Sequence, residues 1–350
     1  MGGLVNTAKE IAKTALRRHY ARMHFRAAQA KLKSLEAKSG PVSQADRKRC
    51  DAYATEVLGH RKFAPWLYIY CHIAGGFKEG WIPDNFYDEC VVPRISGAYG
   101  EICNLRALNS TIFDAEEFPD VAAQVNGVVF GRDGLQVRQA YLIATLFGQD
   151  DRVVFKSDGS QSGEGVVILD RKSFDPQTVR SLGPGLFQSF IRQNPLFRQL
   201  SNSASVATLR LTTASDDQGV ISLRAAYLRL GRATDIHVHS DGQVCVAVDQ
   251  KTGALSDVGY LPDWSRIDHH PDAGVAFSGH TIPNFAACVR VVVRCHERFR
   301  FVRCIGWDLC VDDAGQVKII EWNGGHNGVK FTEAVQGPCF ADLNWHKLRP

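Results

Sequence analysis

No run of ~18 apolar residues occurs in the 350-residue chain, so no segment reads as a membrane-spanning helix. The richest stretch, "FAPWLYIYCHIAGGF", is too short and carries a histidine. Ten cysteines are present, but none forms a C-x-x-C pair, and the spacing of a structural zinc site is missing. Without a secretory signal, these scattered thiols read as reduced and mostly buried, as in a cytoplasmic protein. Internal repeats and low-complexity tracts are absent. Neither the P-loop pattern ending in G-K-[ST] nor the dinucleotide pattern G-x-G-x-x-G occurs, which excludes those two phosphate-binding folds. No Ser/His/Asp or cysteine nucleophile stands out.

What is present is a globular composition, 45% hydrophobic, long enough for two or three packed lobes. Net charge is +4, unevenly spread: residues 1–40 hold nine Lys/Arg against two acids, so that segment carries +7 and the rest −3. Residues 4–38 have apolar positions at helical spacing with Lys and Arg on the other faces, which predicts a long basic amphipathic helix ended by Gly40-Pro41. Such a helix can lie on an anionic membrane or on nucleic acid, or pack on the body or a partner. Asn6 breaks the myristoylation pattern. A second helix is expected over 43–59, a small α/β lobe over about 65–130, and a helix over 136–147. From Arg152 the texture turns to strands divided by Gly, Asp and Ser. They are followed by a helix after Pro283, with Asn284 as its N-cap, and a final hairpin. The fold class expected is α+β.

Two stretches carry chemistry. In "VVFKSDGSQSGEGVVIL" a strand ends at Lys156, and a loop containing Gly159, Gly163 and Gly165 leads into the next strand. Such glycines let backbone N–H groups approach an anion, and a strand-end lysine adds a point charge for phosphate oxygens. A flexible hairpin loop would read the same way. In "IGWDLCVDDAGQVKIIEWNGG" a two-residue turn at Ala314-Gly315 places Asp308 opposite Glu321, with Asn323 on the same face. Like charges directly opposed are destabilising unless something lies between them. A Mg²⁺ ion shared with substrate phosphates would answer that, since Mg²⁺ takes carboxylate and carbonyl oxygens. The alternative is a surface hairpin with solvated acids, against which the flanking Trp307, Leu309, Ile320 and Trp322 argue.

Together these segments resemble the ATP-grasp superfamily, nearest its sugar-transfer-associated branch. "VFKSDGSQSGEGV" is similar to the family's lysine-plus-glycine loop, and "GLFQSFIRQNPLFRQL" to the hinge that holds adenine. "SASVATLRLTT" resembles its Ser-x-x-Thr-x-Arg strand. "HHPDAGVAFSGHTIPNF" and the final hairpin resemble its closing segments. The resemblance implies an ATP-grasp fold, two α+β lobes gripping ATP, with a small N-terminal α/β lobe and the basic helix before them. The divisions would be 1–62, 63–150 and 151–350. It implies that Lys156 contacts phosphates under a loop including Ser160, Gly163 and Gly165. Gln188 and Phe190 would address adenine, Arg210 would hold the transferring phosphate, and Asp308, Glu321 and Asn323 would bind Mg²⁺. Asp235 would lie among the substrate contacts; His237 and His239, which alternate onto its face, admit by themselves a substrate role, a metal role or an ordinary polar one. The family's Asp-Lys pair before the ATP lobe is replaced by "GEICNLRALN", which offers only Arg106, and the family's Asn after Asp235 is Ile236.

The activity implied is an ATP-dependent carboxylate–amine ligase that works through an acyl phosphate. A kinase on the same fold and a non-catalytic scaffold are the alternatives. The partners expected are ATP, a small-molecule carboxylate and an amine, without nucleic acid, and with residues 4–38 as a contact for a membrane surface or a protein.

Overall fold

The computed structural model describes residues 22–159, 165–233 and 242–349. The chain packs as two units, residues 1–94 with 328–350, and residues 95–327. Residues 4–21 of the expected basic helix lie outside the described residues, as do Ser160, Gly163, Asp235 and His237.

In the first unit every regular element among the described residues is helical. Residues 22–39 form a helix that buries Ala28, Leu32 and Leu35, one face at three- and four-residue spacing. Helix Gln44–Ala52 starts where Ser43 Oγ accepts from the Asp46 N–H at 3.0 Å, a side-chain N-cap. The expected α/β lobe over 63–150 does not form as one body. Its beginning is helical, because Phe63, Trp66, Leu67, Tyr70 and Cys71 fall on one buried helical face, and helix Ala64–Ala74 carries most of it. Its later part belongs to the other unit. No helix among the described residues is long and apolar enough to cross a membrane.

Glu333, in helix Lys330–Val335, ties this unit together. Its Oε2 accepts from the Ile82 N–H and its Oε1 from the Cys339 N–H, both at 2.8 Å, while its carbonyl accepts from Trp81 Nε1 at 2.8 Å. It is fully buried, and burial pushes its carboxyl up to about 7 against those N–H donors.

The second unit is built on two antiparallel sheets with helices, an α+β arrangement. Strands β1 (Asp120–Val125), β2 (Val128–Gly131), β3 (Arg152–Ser157), β4 (Val166–Asp170) and β5 (Gly185–Ser189) form the first, in the order β2-β1-β5-β3-β4. The second takes β6 (Thr208–Ser215), β7 (Ile221–Leu230), β8 (Val244–Val248), β9 (Leu255–Tyr260), β10 (Arg266–Ile267), β11 (Cys304–Val311) and β12 (Val317–Asn323). Its order is β10-β9-β8-β7-β6-β11-β12. Helix Phe285–Arg298 covers one face of this sheet, with Cys288, Val292 and Cys295 in one core with Leu209, Leu211, Leu228, Trp307 and Leu309. Alternation then turns Arg210 and Asp308 to the opposite face. Asn284 does not cap this helix through its side chain. Its backbone is left-handed, and its amide donates to the Gly315 carbonyl at 2.7 Å.

The final hairpin differs from the expected one in its turn, yet reaches the expected pairing. Asp312 N–H donates to the Gln316 carbonyl at 2.9 Å, which makes the loop three residues, Asp313 to Gly315. Asp312 Oδ1 closes it by accepting from the N–H groups of Ala314 and Gln316 at 3.1 and 2.7 Å. Next to the loop Val311 pairs with Val317 and Leu309 with Ile319, one position off the two-residue-turn register. A bulge at Ile320 then absorbs the offset, and Asp308 stands opposite Glu321.

Candidate functional site

One rung crosses four strands of the second sheet. Tyr227 on β7 pairs with Arg210 on β6, Arg210 with Asp308 on β11, and Asp308 with Glu321 on β12. Directly opposed residues share a face, so these four side chains leave the sheet together. The rung beside it is Ala225, Thr212, Gly306 and Asn323. Its small residues leave room for the Arg210 side chain. A Cβ on Gly306 would lie 2.9 Å from Asn327 Cβ and 3.0 Å from Arg210 Nη1. Gly306→Ala is therefore expected to cost ~1–3 kcal/mol by overpacking. Urea unfolding checks this, and an unchanged midpoint would contradict the close approach.

Asp308 is held by two guanidinium groups. Arg210 Nε donates to Oδ1 at 2.6 Å and Arg210 Nη2 to Oδ2 at 2.9 Å, while Arg229 Nη2 also donates to Oδ1. Arg210 Nη1 donates to the Asn327 carbonyl at 2.7 Å, so all three of its nitrogens are engaged within the protein. Burial would raise the Asp308 carboxyl, but Arg210 and Arg229 outweigh it and hold it down at about 2. The sequence reading expected Asp308 to ligate a cation, and Arg210 to reach out to phosphate or, as the alternative, to sit in a structural ion pair; in this structure the two are each other's buried partners.

The first sheet brings Lys156 to the same place. Lys156 is buried at the end of β3, and its Nζ donates to the Ile320 carbonyl at 3.0 Å. That carbonyl belongs to the bulged residue, whose ladder pairing is interrupted. Gln188 Nε2 shares it at 3.4 Å and donates to Asp120 Oδ1 at 2.7 Å. Asn109 Nδ2 lies 3.3 Å from Asp120 Oδ2, and its own Oδ1 accepts from Trp322 Nε1 at 3.0 Å. This chain of bonds leaves β12 at Trp322 and returns to it at Ile320. Burial pushes the Asp120 carboxyl up to about 6, with the Gln188 and Asn109 bonds opposing. Burial likewise lowers the Lys156 ammonium, with Glu321 opposing and Arg106 adding to the shift.

Gln188 is thus occupied inside the protein rather than aimed at a base. The Phe190 ring is covered by the Arg152 guanidinium, 3.8 Å from its centroid. Gly159 and Gly165, at φ +71° and +74°, bracket the part of the loop outside the described residues. These left-handed turns suit glycine at both ends. Arg106 stands where the sequence offered only one cation. Its Nη1 donates to the Ser157 carbonyl at 2.7 Å, and its Nη2 lies 3.7 Å from Glu321 Oε2.

Sequence reasoning missed Arg229, Asp120 and Asn109. Arg229 could have been found by parity, because it lies two residues from Tyr227 and so on the same face of β7. Asp120 and Asn109 gave no signal that separates them from loop residues.

Among the described residues no group of three His, Cys, Asp or Glu side chains is gathered that would hold a metal by itself. A shared Mg²⁺ needs fewer, one or two carboxylates together with substrate phosphates. Glu321 suits that role, with its side chain 35% exposed, Arg106 Nη2 no closer than 3.7 Å and the Lys156 ammonium near it. Asn323 suits it too, because it shares Glu321's face of β12 and its Nδ2 donates only weakly, to the Gly306 carbonyl at 3.4 Å. Asp308 does not fit, since three of its roughly four lone-pair positions accept from guanidinium N–H groups.

A family model described as sugar-transfer associated ATP-grasp matches residues 136–344, more than half of the chain. No curated protein gives a significant match. Among solved structures, the chain is similar to N5-carboxyaminoimidazole ribonucleotide synthetase from Thermotoga maritima. Identity is 11%, coverage 81% of this chain and 62% of that one, and the TM-score 0.41. It is also similar to L-amino acid ligase from Bacillus licheniformis, with 14% identity, 71% and 48% coverage and a TM-score of 0.42. For biotin carboxylase from Campylobacter jejuni the figures are 10%, 92%, 69% and 0.45. The chain thus spans between about half and two thirds of the length of these structures. On the family match, which spans both the lysine strand and the Asp308–Glu321 hairpin, the chain belongs to the sugar-transfer-associated ATP-grasp family.

Proposed function

We propose that this protein binds ATP with Mg²⁺ and uses it to join a carboxylate to an amine, releasing ADP and phosphate. The observation that carries the nucleotide part is a charge imbalance. Lys156, Arg106, Arg210 and Arg229 gather around Asp308 and Glu321, and the other two carboxyls that act on them, Asp120 and Asp158, are both pushed toward their neutral forms by burial, so positive charge is in excess beside a lysine-and-glycine loop. A surplus of buried or half-buried positive charge is unfavourable unless a polyanion completes it. A triphosphate is such a polyanion. The ligase part rests on family membership.

In this reading the substrate carboxylate attacks the γ-phosphorus, the bond to the β-phosphate oxygen breaks, and ADP leaves. The amine then displaces phosphate from the acyl phosphate and gives up a proton. Lys156, fixed by the Ile320 carbonyl, keeps its remaining N–H donors for phosphate oxygens. Arg106, anchored on Ser157, sets positive charge at the foot of the glycine loop. A Mg²⁺ ion held by Glu321 and Asn323 would neutralise charge on the phosphate oxygens. Charge spread over a transferring phosphoryl group is what such fixed cations stabilise. The loop between Gly159 and Gly165 would exclude water from the acyl phosphate.

Thermal unfolding with ATP and Mg²⁺, separately and together, tests the nucleotide step. Ligand at ~100 times its dissociation constant stabilises by ~2.7 kcal/mol, a rise of a few degrees. Lys156→Met is expected to remove that rise, and Glu321→Gln to remove its Mg²⁺ dependence. No rise in the unaltered protein would refute ATP binding. Products from a screen of carboxylates and amines then decide the reaction: an amide with free phosphate supports the ligase, whereas a phosphorylated hydroxyl would mark a kinase.

A further inference from the structure

We propose that Gly100 is a positioning residue for the cation site: through the backbone of Gly324 it fixes where Asn323 stands. The inference rests on the nucleotide reading above, in which Glu321 and Asn323 hold Mg²⁺. Gly100 lies in the 3₁₀ helix Gly97–Asn104, which precedes residues 136–344, the span of the family match. It is buried, and a Cβ placed on it would lie 2.5 Å from the Gly324 carbonyl oxygen, 2.9 Å from its carbonyl carbon and 3.1 Å from Gly325 Cα. Its φ lies outside the left-handed region, so space rather than backbone conformation requires glycine here. From the other side, a Cβ on Gly324 would lie 3.1 Å from the Gly100 carbonyl oxygen and 2.8 Å from Trp322 Cζ3. The two main chains thus touch with no side chain between them.

The contact matters because β12 is an edge strand of its sheet and Asn323 is its last residue. Asn323 pairs with Gly306, and its side chain is tied by one bond of 3.4 Å. Its position is therefore set by its main chain. Upstream, Ile319 N–H donates to the Glu117 carbonyl at 2.8 Å and Trp322 Nε1 to Asn109 Oδ1 at 3.0 Å; just beyond Asn323, Gly324 rests on Gly100. The 3₁₀ helix is itself a fixed abutment. Arg303 N–H donates to the Ile95 carbonyl at 2.9 Å, the Tyr99 ring stacks on Phe301 with centroids 5.4 Å apart, and Ile102 and Cys103 pack on the main core. The N–H groups of Gly324 and Gly325 also bear on the Cys103 thiol, opposing the rise that burial gives it. A methyl on Gly100 would force the Gly324 carbonyl back by about 0.9 Å to restore an ordinary 3.4 Å contact. That shift is small for a strand end and large for a Mg²⁺ ligand, which must meet near-ideal geometry at about 2.0–2.1 Å.

Mn²⁺ binding in the presence of ADP, followed by electron paramagnetic resonance on the full-length protein, tests the assignment. Gly100→Ala is expected to weaken Mn²⁺ binding by ~10-fold, the scale on which outer-shell partners act. Because Gly100 acts through Asn323, the loss is expected to vanish in an Asn323→Ala background, where Gly100→Ala should change the affinity by less than ~2-fold. A role confined to folding would show its full effect there. Gly325→Ala is the control: its Cβ meets nothing nearer than Glu101 Oε1 at 3.9 Å, and it is expected to bind Mn²⁺ as the unaltered protein does. Should Gly100→Ala not fold, Gly324→Ala presses on the same contact from the other side and takes its place. Unchanged affinity in the folded variant, an equal loss in Gly325→Ala, or full additivity with Asn323→Ala would overturn the assignment. Absence of Mn²⁺ binding in the unaltered protein with ADP would instead overturn the cation reading of Glu321 and Asn323 on which it rests.

Discussion

Asp308→Ala is expected to destabilise the second unit by ~3–5 kcal/mol, the scale of removing one partner from a buried ion pair. The cost is not the loss of attraction alone. Arg210 would keep its guanidinium buried, with only the Asn327 carbonyl to accept from it, and Arg229 would lose its acceptor as well. Folded domains have ~5–15 kcal/mol of stability, so this one change could remove a third of it or more. Two comparisons show the cause. Adding Arg210→Met to Asp308→Ala should recover part of the loss, because the stranded charge is gone. Glu321→Ala, on the same rung but partly exposed, should cost far less. Urea unfolding of the four proteins measures all three effects. If Asp308→Ala stays within ~1 kcal/mol of the parent, the triad contributes little and its geometry needs another explanation.

The second large effect concerns the helical unit and pH. Glu333 is held at about 7, above the ordinary 4.5, because burial disfavours its charge more than the Ile82 and Cys339 N–H donors favour it. A carboxyl raised in the folded state binds its proton more tightly there than in the unfolded chain. Its stabilisation is therefore complete below pH 4.5 and is lost as pH rises through about 7. The full span is on the order of 3 kcal/mol. Asp120, raised to about 6, adds a smaller effect of the same sign in the other unit. Asp308 works the other way, and only in acid: its contribution is present above its ordinary 3.8 and fades as pH falls through about 2. The unfolding midpoint in urea should consequently fall between pH 5 and pH 8. In Glu333→Gln the slope should flatten, from a lower start, since one amide N–H would then face a backbone N–H. A midpoint constant across that range in the parent would show that the two N–H donors cancel the effect of burial.

The same residues show how far a sequence can be read. Asp308 opposite Glu321 was legible from the hairpin, and Lys156 before its glycines from the strand that ends there. The pairing was reached through a turn that does not exist. A three-residue loop shifts the register and Ile320 shifts it back, so the two departures cancel at Asp308. Their trace is present in the sequence as a phase slip: Val317 and Ile319 are buried at odd positions and Trp322 at an even one. What was not legible depends on strand order. Arg229 meets Asp308 only because β7, β6 and β11 are consecutive in the sheet, and no local pattern in "YLRLGR" or "GWDLC" states that order. The helical character of residues 63–94 was hidden for another reason. Pro, Gly and aromatics are ordinary marks of turns and strands, and only the burial spacing of Trp66, Leu67 and Tyr70 distinguishes a helix.

The extra residue at Ile320 also bears on how this chain can change length. Removing it would leave Ile319 opposite Leu309 and Glu321 opposite Asp308, so the hairpin would zip as a regular ladder and every side chain would keep its side. The carbonyl that Lys156 and Gln188 now share would go with it, and those of the closed ladder would be committed to cross-strand bonds. A one-residue deletion would thus pass unnoticed in the second sheet while cutting the thread that holds the lysine strand to it. Residue count at this position therefore records a link between two sheets rather than the length of a strand.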